Sequence, residues 1–372
     1  MFRPPRCPNE RCPEHADPRD PFFRRHGFYR AKCRAHPIPR FRCKTCRRTF
    51  SRQTFSRQTF RANRYDKKPY LNRRVIESLT SGVGLRKTAR TLDITRKNLV
   101  LKWRKISRHG RQLDLNLKSR AARADLAAPD PSTFVLQFDE LETYETRRNT
   151  RPLSVATMIE RRTRLIIGAM AAPIRPKGTM TKQRIAAIAA EDARFGRRKD
   201  RSRVACRSVF RSAAKLRPAA ARVQLESDEK TVYPEYFAEA FVGRVRRHET
   251  TSSKAPRGVG TPLFAINLTE GILRDHAGRV RRDSWLVSKL RTYLNLHLAM
   301  YAAWKNWVLP RFNRDEHAPG VLAGWAPRNL TIEEFLGWRQ DWGTRSPCPF
   351  GGGRRAMADR LKCPRAAELR QA

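Results

Sequence analysis

Acidic residues are scarce in this sequence. The 372-residue chain carries 34 Asp and Glu against 80 Lys and Arg, a formal net charge of +46. A genome that favours Arg codons would change the ratio of Arg to Lys, but it would not remove acids. Such an excess must meet a polyanion or solvent. Nucleic acid is the expected polyanion, because each neutralised phosphate releases condensed counterions. An anionic membrane surface fits less well, since the basic residues are spread along the whole chain and form no juxtamembrane cluster. No run of 18 apolar residues occurs, so no membrane-spanning helix is expected. The opening MFRPPRCPNERC has charge without an apolar stretch, which argues against a secretory signal. Cysteine is rare beyond residue 46: five of the eight lie before that point, and only Cys206, Cys348 and Cys363 follow. Front-loaded, paired cysteines in a chain without a signal point to metal binding, not disulfides.

Residues 1–65 are also short of aliphatic side chains and rich in Cys, Arg, Pro and Phe. A segment that cannot bury much core needs a staple. Cys7 and Cys12 form one pair and Cys43 and Cys46 another. Four thiolates on two knuckles suit one tetrahedral Zn²⁺. Cys33 is left over, and His15, His26 and His36 are alternative ligands. SRQTF occurs twice in succession at 51–55 and 56–60, a period that fits no solenoid and reads as a slipped duplication.

Residues 66–118 have a helical texture. Leu71, Val75, Ile76 and Leu79 share one face, and Gly82 and Gly84 end that helix. A short helix follows with Leu85, Ala89 and Leu92 together. Thr95 is a natural N-cap for a cationic helix whose apolar positions are Leu99, Leu101 and Trp103. Arg96, Lys97, Lys102, Arg104 and Lys105 occupy its other positions. Helix, short turn, cationic helix is the layout of a helix-turn-helix, and Arg96, Lys97 and Lys102 are its candidate DNA contacts.

Residues 119–132 read as a linker ending in a Pro-rich boundary, and 133–310 as an α/β domain. Phe134, Leu136 and Phe138 alternate as a strand that ends at Asp139. Two more strands follow, joined by a turn at Glu160–Thr163, then a helix, then a strand ending near Asp228. A long helical tract from Pro262 carries Glu270. Trp285, Trp304, Trp307 and His297 read as core residues. The fold class expected is therefore α+β and multidomain. Residues 311–372 form a C-terminal extension to which no role attaches.

Acids at strand ends are where α/β folds place their chemistry. Asp139, Asp228 and Glu270 are the set a two-metal phosphoryl-transfer site needs, with oxygen donors from separate elements around hard Mg²⁺ or Mn²⁺. Glu226 is a rival for the second position and Asn267 for the third. Arg274 lies one turn after Glu270, and Arg279, Arg281, Arg282 and Lys289 follow. These could clamp phosphates, Arg274 and Arg279 first among them.

Four stretches together resemble the bacterial insertion-sequence transposases of the DDE class. CPNERC with RFRCKTCRRTFSRQTF resembles their zinc-ribbon start, and LTSGVGLRKTARTLDI their helix-turn-helix. FDELETYE resembles the first acidic block, and NLTEGILRDHAGRVRRDSWLVSK the last. The resemblance implies a zinc ribbon, a helix-turn-helix and an RNase H-like catalytic domain. It further implies a Mg²⁺-dependent (or Mn²⁺-dependent) DNA transposase with Asp139, Asp228 and Glu270 as its acids and metal ligands. Terminal inverted repeats and target DNA would be its partners. A homodimer or higher oligomer would form on that DNA, in the bacterial cytoplasm at the nucleoid. Two features depart from the pattern: Glu229 follows Asp228 where such families place Gly, and Asn267 stands where some members carry the Glu. The contrasting reading is a non-catalytic DNA-binding regulator or an inactive remnant.

Overall fold

The computed structural model describes residues 4–341 except 5, 10, 31–36, 52–58, 61–65, 67, 128–132, 217–221, 253, 257, 282–283 and 339. Cys33, His36, Arg282, Cys348, Cys363, most of the SRQTF duplication and the chain after 341 lie outside the described residues. The fold is mixed α+β.

The N-terminal module begins with helix α1 (Pro13–Ala16). It continues as a three-stranded antiparallel sheet, β1 (Phe23–Tyr29), β2 (Ile38–Cys43) and β3 (Thr49–Ser51), in that order. Its core is aromatic. Phe22, Phe41 and Phe50 pack with Cys7, Cys12 and Cys43, and Phe41 sits opposite Phe50 in the β2/β3 register. A two-residue strand, β4 (Thr59–Phe60), pairs far along the chain with β10 (Gln340–Asp341).

Helices α2 (Asn72–Thr80), α3 (Leu85–Thr91) and α4 (Arg96–Ala127) follow. Val75, Ile76 and Leu79 are buried as the spacing predicts, and the Thr95 hydroxyl accepts from Asn98 N at 3.3 Å as an N-cap. Two expectations fail here. Leu101, placed on the apolar face, is 46% exposed, whereas Leu99, Trp103 and Ile106 are buried at i, i+4 and i+7. The linker expected at 119–132 is helix as far as Ala127. Ala, Leu and Arg have high helix propensity, and the Lys118 ammonium donates to Asp114 Oδ2 at 2.7 Å and to the carbonyls of Ile166 and Ile167. The helix therefore stays docked where the sequence suggested a hinge.

The central sheet contains β5 (Phe134–Tyr144), β6 (Pro152–Glu160), β7 (Ile166–Pro173), β8 (Val223–Asp228) and β9 (Arg246–Thr251), ordered β7-β6-β5-β8-β9. The β5/β6 and β6/β7 pairs are antiparallel; the β5/β8 and β8/β9 pairs are parallel. Helix α5 (Lys182–Phe195) buries no side chain. One face of the sheet, with Phe134, Leu136, Phe138 and Leu225, packs against α6 (Ser202–Ala214) and α7 (Tyr233–Ala240). The opposite face, with Leu141, Val155 and Ile159, packs against α8 (Phe264–His276) and α9 (Arg291–Trp307). The single helical tract expected there is two helices. Trp285, read as core, lies between them at 95% exposure, whereas Trp304, Trp307 and His297 are buried.

Short helices α10 (Pro319–Leu322) and α11 (Ile332–Gly337) close the described chain. Leu99, Trp103, Ile106 and Leu113 of α4 share one core with Met300, Trp304 and Trp307 of α9 and with Phe335 of α11. The boundaries expected at 118 and 310 thus fall within a continuous core. Gly82, in the α2–α3 turn, has φ +74, and a Cβ there would meet the Asp275 carbonyl at 2.5 Å. Its N–H donates to His276 O at 2.8 Å, so this turn is seated on the end of α8.

Candidate metal centre and acidic face

Two local turns bring the cysteines together. Cys7 N donates to Glu14 O at 2.9 Å, and Cys43 N to Arg48 O at 3.0 Å, which closes the two knuckles. The buried Glu14 carboxylate ties them to each other, accepting from Arg19 N at 2.8 Å and Thr45 Oγ1 at 2.9 Å. Arg19 and Thr45 outweigh burial and hold this carboxyl below its ordinary range. The sequence held no signal for Glu14, since its value lies in contacts across the two knuckles.

The four sulfurs lie within 4.8 Å of one another, with Cys7–Cys46 at 3.4 Å and Cys12–Cys43 at 3.9 Å. A tetrahedral zinc with Zn–S near 2.3 Å has sulfur–sulfur edges of about 3.8 Å. The cluster could therefore hold a zinc ion. Burial pushes the Cys7 and Cys12 thiols upward. Burial also opposes ionisation of Cys46, but hydrogen bonds from Arg48 N–H and Cys7 outweigh it and bring that thiol to about 7. His15 is no ligand here: its Nδ1 is 2.7 Å from Cys7 O. His26 is exposed on β1.

The candidate acids occupy one side of the central sheet. Phe138 pairs with Ser227, so Asp139 and Asp228 stand one step further along neighbouring parallel strands. Side chains alternate along a strand, so Gln137, Asp139 and Leu141 share a face. That face is the one α8 covers: Gln137 Oε1 accepts from Ile266 N at 2.8 Å, and Leu141 packs with Ile266 and Leu273. Glu270 follows Ile266 by one turn and is buried, whereas Asn267 is half-buried. Glu226 lies beside Gln137, which donates to it at 2.8 Å, and it is paired with Arg161 at 2.7 Å.

The three carboxylates do not form a group whose oxygens all lie within 4.8 Å of one another. Among the described residues, the four cysteines are the only group of three or more His, Cys, Asp or Glu side chains close enough to hold one ion. Two of the three acids have backbone donors of their own. Asp139 Oδ1 accepts from Glu140 N at 2.7 Å, and Asp228 Oδ1 from Lys230 N at 3.2 Å.

Glu140, next to Asp139, points to the other face, and nothing in the sequence singles it out. Its carboxylate accepts from Ser154 Oγ at 2.5 Å, from Tyr233 OH at 3.0 Å and from Lys230 Nζ. Burial disfavours its charge, but Lys230 and Ser154 prevail and hold the carboxyl low. Glu140 thereby anchors the segment that follows Asp228. Burial in the same neighbourhood pushes the Cys206 thiol up to about 12.

No family model and no curated protein matches this chain.

The expected DNA contacts divide into exposed and internal groups. Arg96 and Lys97 are exposed at the start of α4. Lys102 is not: its ammonium is buried and bonded to Asp66 Oδ1, Lys68 O and Asn72 Oδ1. Burial lowers its pKa, and the Asp66 carboxylate partly offsets that. The i+6 position from Arg96 turns Lys102 inward beside Trp103. Arg279 is half-buried and turned to internal partners. Its guanidinium stacks 4.7 Å over the Trp103 ring and donates to Ser288 Oγ at 3.2 Å, and burial draws its pKa down to about 10. Arg274 is half-buried, one turn beyond Glu270. No helix is long and apolar enough to cross a membrane among the described residues.

Proposed function

We propose that this chain is a DNA transposase of the DDE class. On this reading it binds transposon ends through its N-terminal half and cuts and joins strands with Asp139, Asp228 and Glu270. The observation that carries the reading is the shared face. Asp139 and Asp228 stand at matching points of adjacent parallel strands, on the side covered by the helix that buries Glu270. The sheet order, three antiparallel strands followed by two parallel ones, supports an RNase H-like assignment. The short turn between α3 and α4, with Arg96 and Lys97 exposed beyond it, supports a helix-turn-helix reader. The cysteine cluster supports a zinc ribbon.

The donor set is all oxygen and comes from three elements, which suits hard Mg²⁺ or Mn²⁺ in kind. Ions held by these residues would supply activation of an attacking hydroxyl and charge stabilisation of the leaving oxygen. The chain's own groups supply the rest. Asp139 and Asp228 are fixed by the β5/β8 ladder, Glu270 by the packing of α8, and Arg274 can meet a phosphate beside them. DNA ends must be brought together for joining, so a dimer on DNA follows.

Duplexes carrying the ends of the genetic element, incubated with Mg²⁺, test this. Asp139→Asn, Asp228→Asn and Glu270→Gln should each lower strand cutting by about a thousandfold or more while duplex affinity stays within a few-fold. Asn267→Ala should be mild. A second reading is a regulator that binds DNA without cutting it, favoured by the lack of a carboxylate group within 4.8 Å. Wild-type protein that binds ends and never nicks them, with any divalent metal, decides for that reading.

A further inference from the structure

An open cavity of about 440 Å³ lies away from the acids, where the end of β5, the end of β7, the start of α9 and the loop between α5 and α6 meet. Six of its lining side chains are cations, Arg151, Arg197, Arg198, Lys199, Arg201 and Arg291, against the single carboxylate of Glu145. The cations form two layers. The inner layer is built and held. Arg198 donates to Ile174 O at 3.2 Å and Pro152 O at 3.0 Å, and both Arg198 and Arg151 pair with Glu145 at 3.5 Å. Glu145 is already saturated, since Arg291 N also donates to it at 2.7 Å. The outer layer is different. Arg197, Lys199 and Arg201 are exposed, and none of them has a carboxylate partner among the described residues.

Arg151 also pairs with Glu191 at 3.4 Å, so the inner cations have acids of their own, whereas the outer ones repel one another unless an anion joins them. Guanidinium forks beside a point-charge ammonium match phosphate oxygens in geometry and charge. We infer that this cavity is a second nucleic-acid site, one that grips the backbone phosphates of a DNA strand through Arg197, Lys199, Arg201 and Arg291. A nucleic acid is favoured over a small phosphorylated molecule for two reasons. The outer cations follow one another along an exposed loop at positions 197, 199 and 201, and the chain carries a formal +46. The cavity is remote from the chemistry. Glu145 lies six residues beyond Asp139, roughly 20 Å along a strand rising about 3.3 Å per residue. The inference shares with the proposed function only the premise that DNA is the ligand. Its readout is affinity, so a failure of strand cutting leaves it standing.

The test compares two triple variants of the full chain, each removing three exposed charges. Arg197→Gln/Lys199→Gln/Arg201→Gln empties the outer layer, and Lys215→Gln/Lys254→Gln/Arg314→Gln removes dispersed charge. Duplex affinity is measured across a salt series. The first variant should bind at least about tenfold more weakly, with the salt slope reduced by about 0.9 for each phosphate no longer neutralised. The second should lose less than about threefold. In the unsubstituted protein, duplex DNA should protect Lys199 from acylation. Equal losses in the two variants overturn the inference. So does protection of Lys199 by inorganic phosphate alone with duplex affinity unchanged in the first variant, which would mark a site for a small phosphorylated molecule.

Discussion

The N-terminal module and the central sheet each gather candidate metal-binding side chains, and they do so in opposite ways. In the module, four sulfurs lie within 4.8 Å of one another, locked by backbone turns and by the Glu14 bridge. On the sheet, three carboxylates face one side without closing to a group within 4.8 Å, two of them with backbone donors of their own. The contrast follows from charge. Burial raises the Cys7 and Cys12 thiols, so two of the four sulfurs can be packed without charge. Carboxylates carry charge at neutral pH, so assembling three of them needs a cation. The module also lacks an alternative source of stability, since its core is three phenylalanines and the cysteines themselves. The sheet has two apolar faces and does not depend on its acids.

Three experiments bear on this difference. The largest effect belongs to the module. Cys43→Ser, or strong chelation, should unfold residues 1–51 and leave the sheet folded, because a structural zinc contributes about 10 kcal/mol or more to so small a unit. Limited proteolysis should cut there first. A module that stays protected without metal would break the comparison.

Next comes Glu140→Gln. On the proposed reading, if the sheet holds its acids by local scaffolding, loosening the Lys230–Tyr233 anchor should lower strand cutting by roughly tenfold to a hundredfold. It should also shift the metal concentration needed and cost only about 1–3 kcal/mol of stability. Glu140→Asp should restore part of the metal response. A loss of stability with unchanged metal response would make Glu140 a packing residue only.

The effect smallest at neutral pH is a pH effect on the core that α4 and α9 share. Burial, with Arg279 nearby, depresses the His297 pKa to about 3. The unfolded chain takes up this proton near pH 6.5, the folded chain only near 3. Stability should therefore be full above about 6.5 and fall by up to about 1.4 kcal/mol per pH unit between those values. His297→Gln should flatten that part of a pH–denaturation curve. An unchanged slope would assign the acid sensitivity to other groups.

Much of this arrangement is legible in the residues. The four cysteines, the Thr95 cap, the alternation through Phe134–Phe138 and the burial of His297, Trp304 and Trp307 can all be read, because each depends on local spacing. What escapes depends on partners distant in sequence. Strand β9 reads RRHETT and has no apolar alternation; it is an edge strand whose exposed charges discourage further pairing. Helix α6 has a clear apolar stripe through Cys206, Val209 and Phe210, hidden by the arginines on its other side. Lys102 reads as a surface cation because nothing in its neighbours announces Asp66. Trp285 reads as core because tryptophan usually is, yet it lies fully in solvent.

The seat of Gly82 on His276 has a mechanical consequence. The α2–α3 turn is bonded to the very end of the helix that carries Glu270, and Arg279, just beyond that end, is stacked on Trp103 of α4. These two contacts tie the segment that leads into α4 to the helix that carries Glu270. On the proposed reading the protein works as a calliper of fixed span: where α4 settles in a groove, the acids land a set number of base pairs away. Cutting position would then be measured out from the bound sequence by the protein's own rigidity, without being read at the point of cutting. Gly82→Val, which a Cβ contact of 2.5 Å to the Asp275 carbonyl forbids without displacement, would bend the calliper and leave both jaws intact.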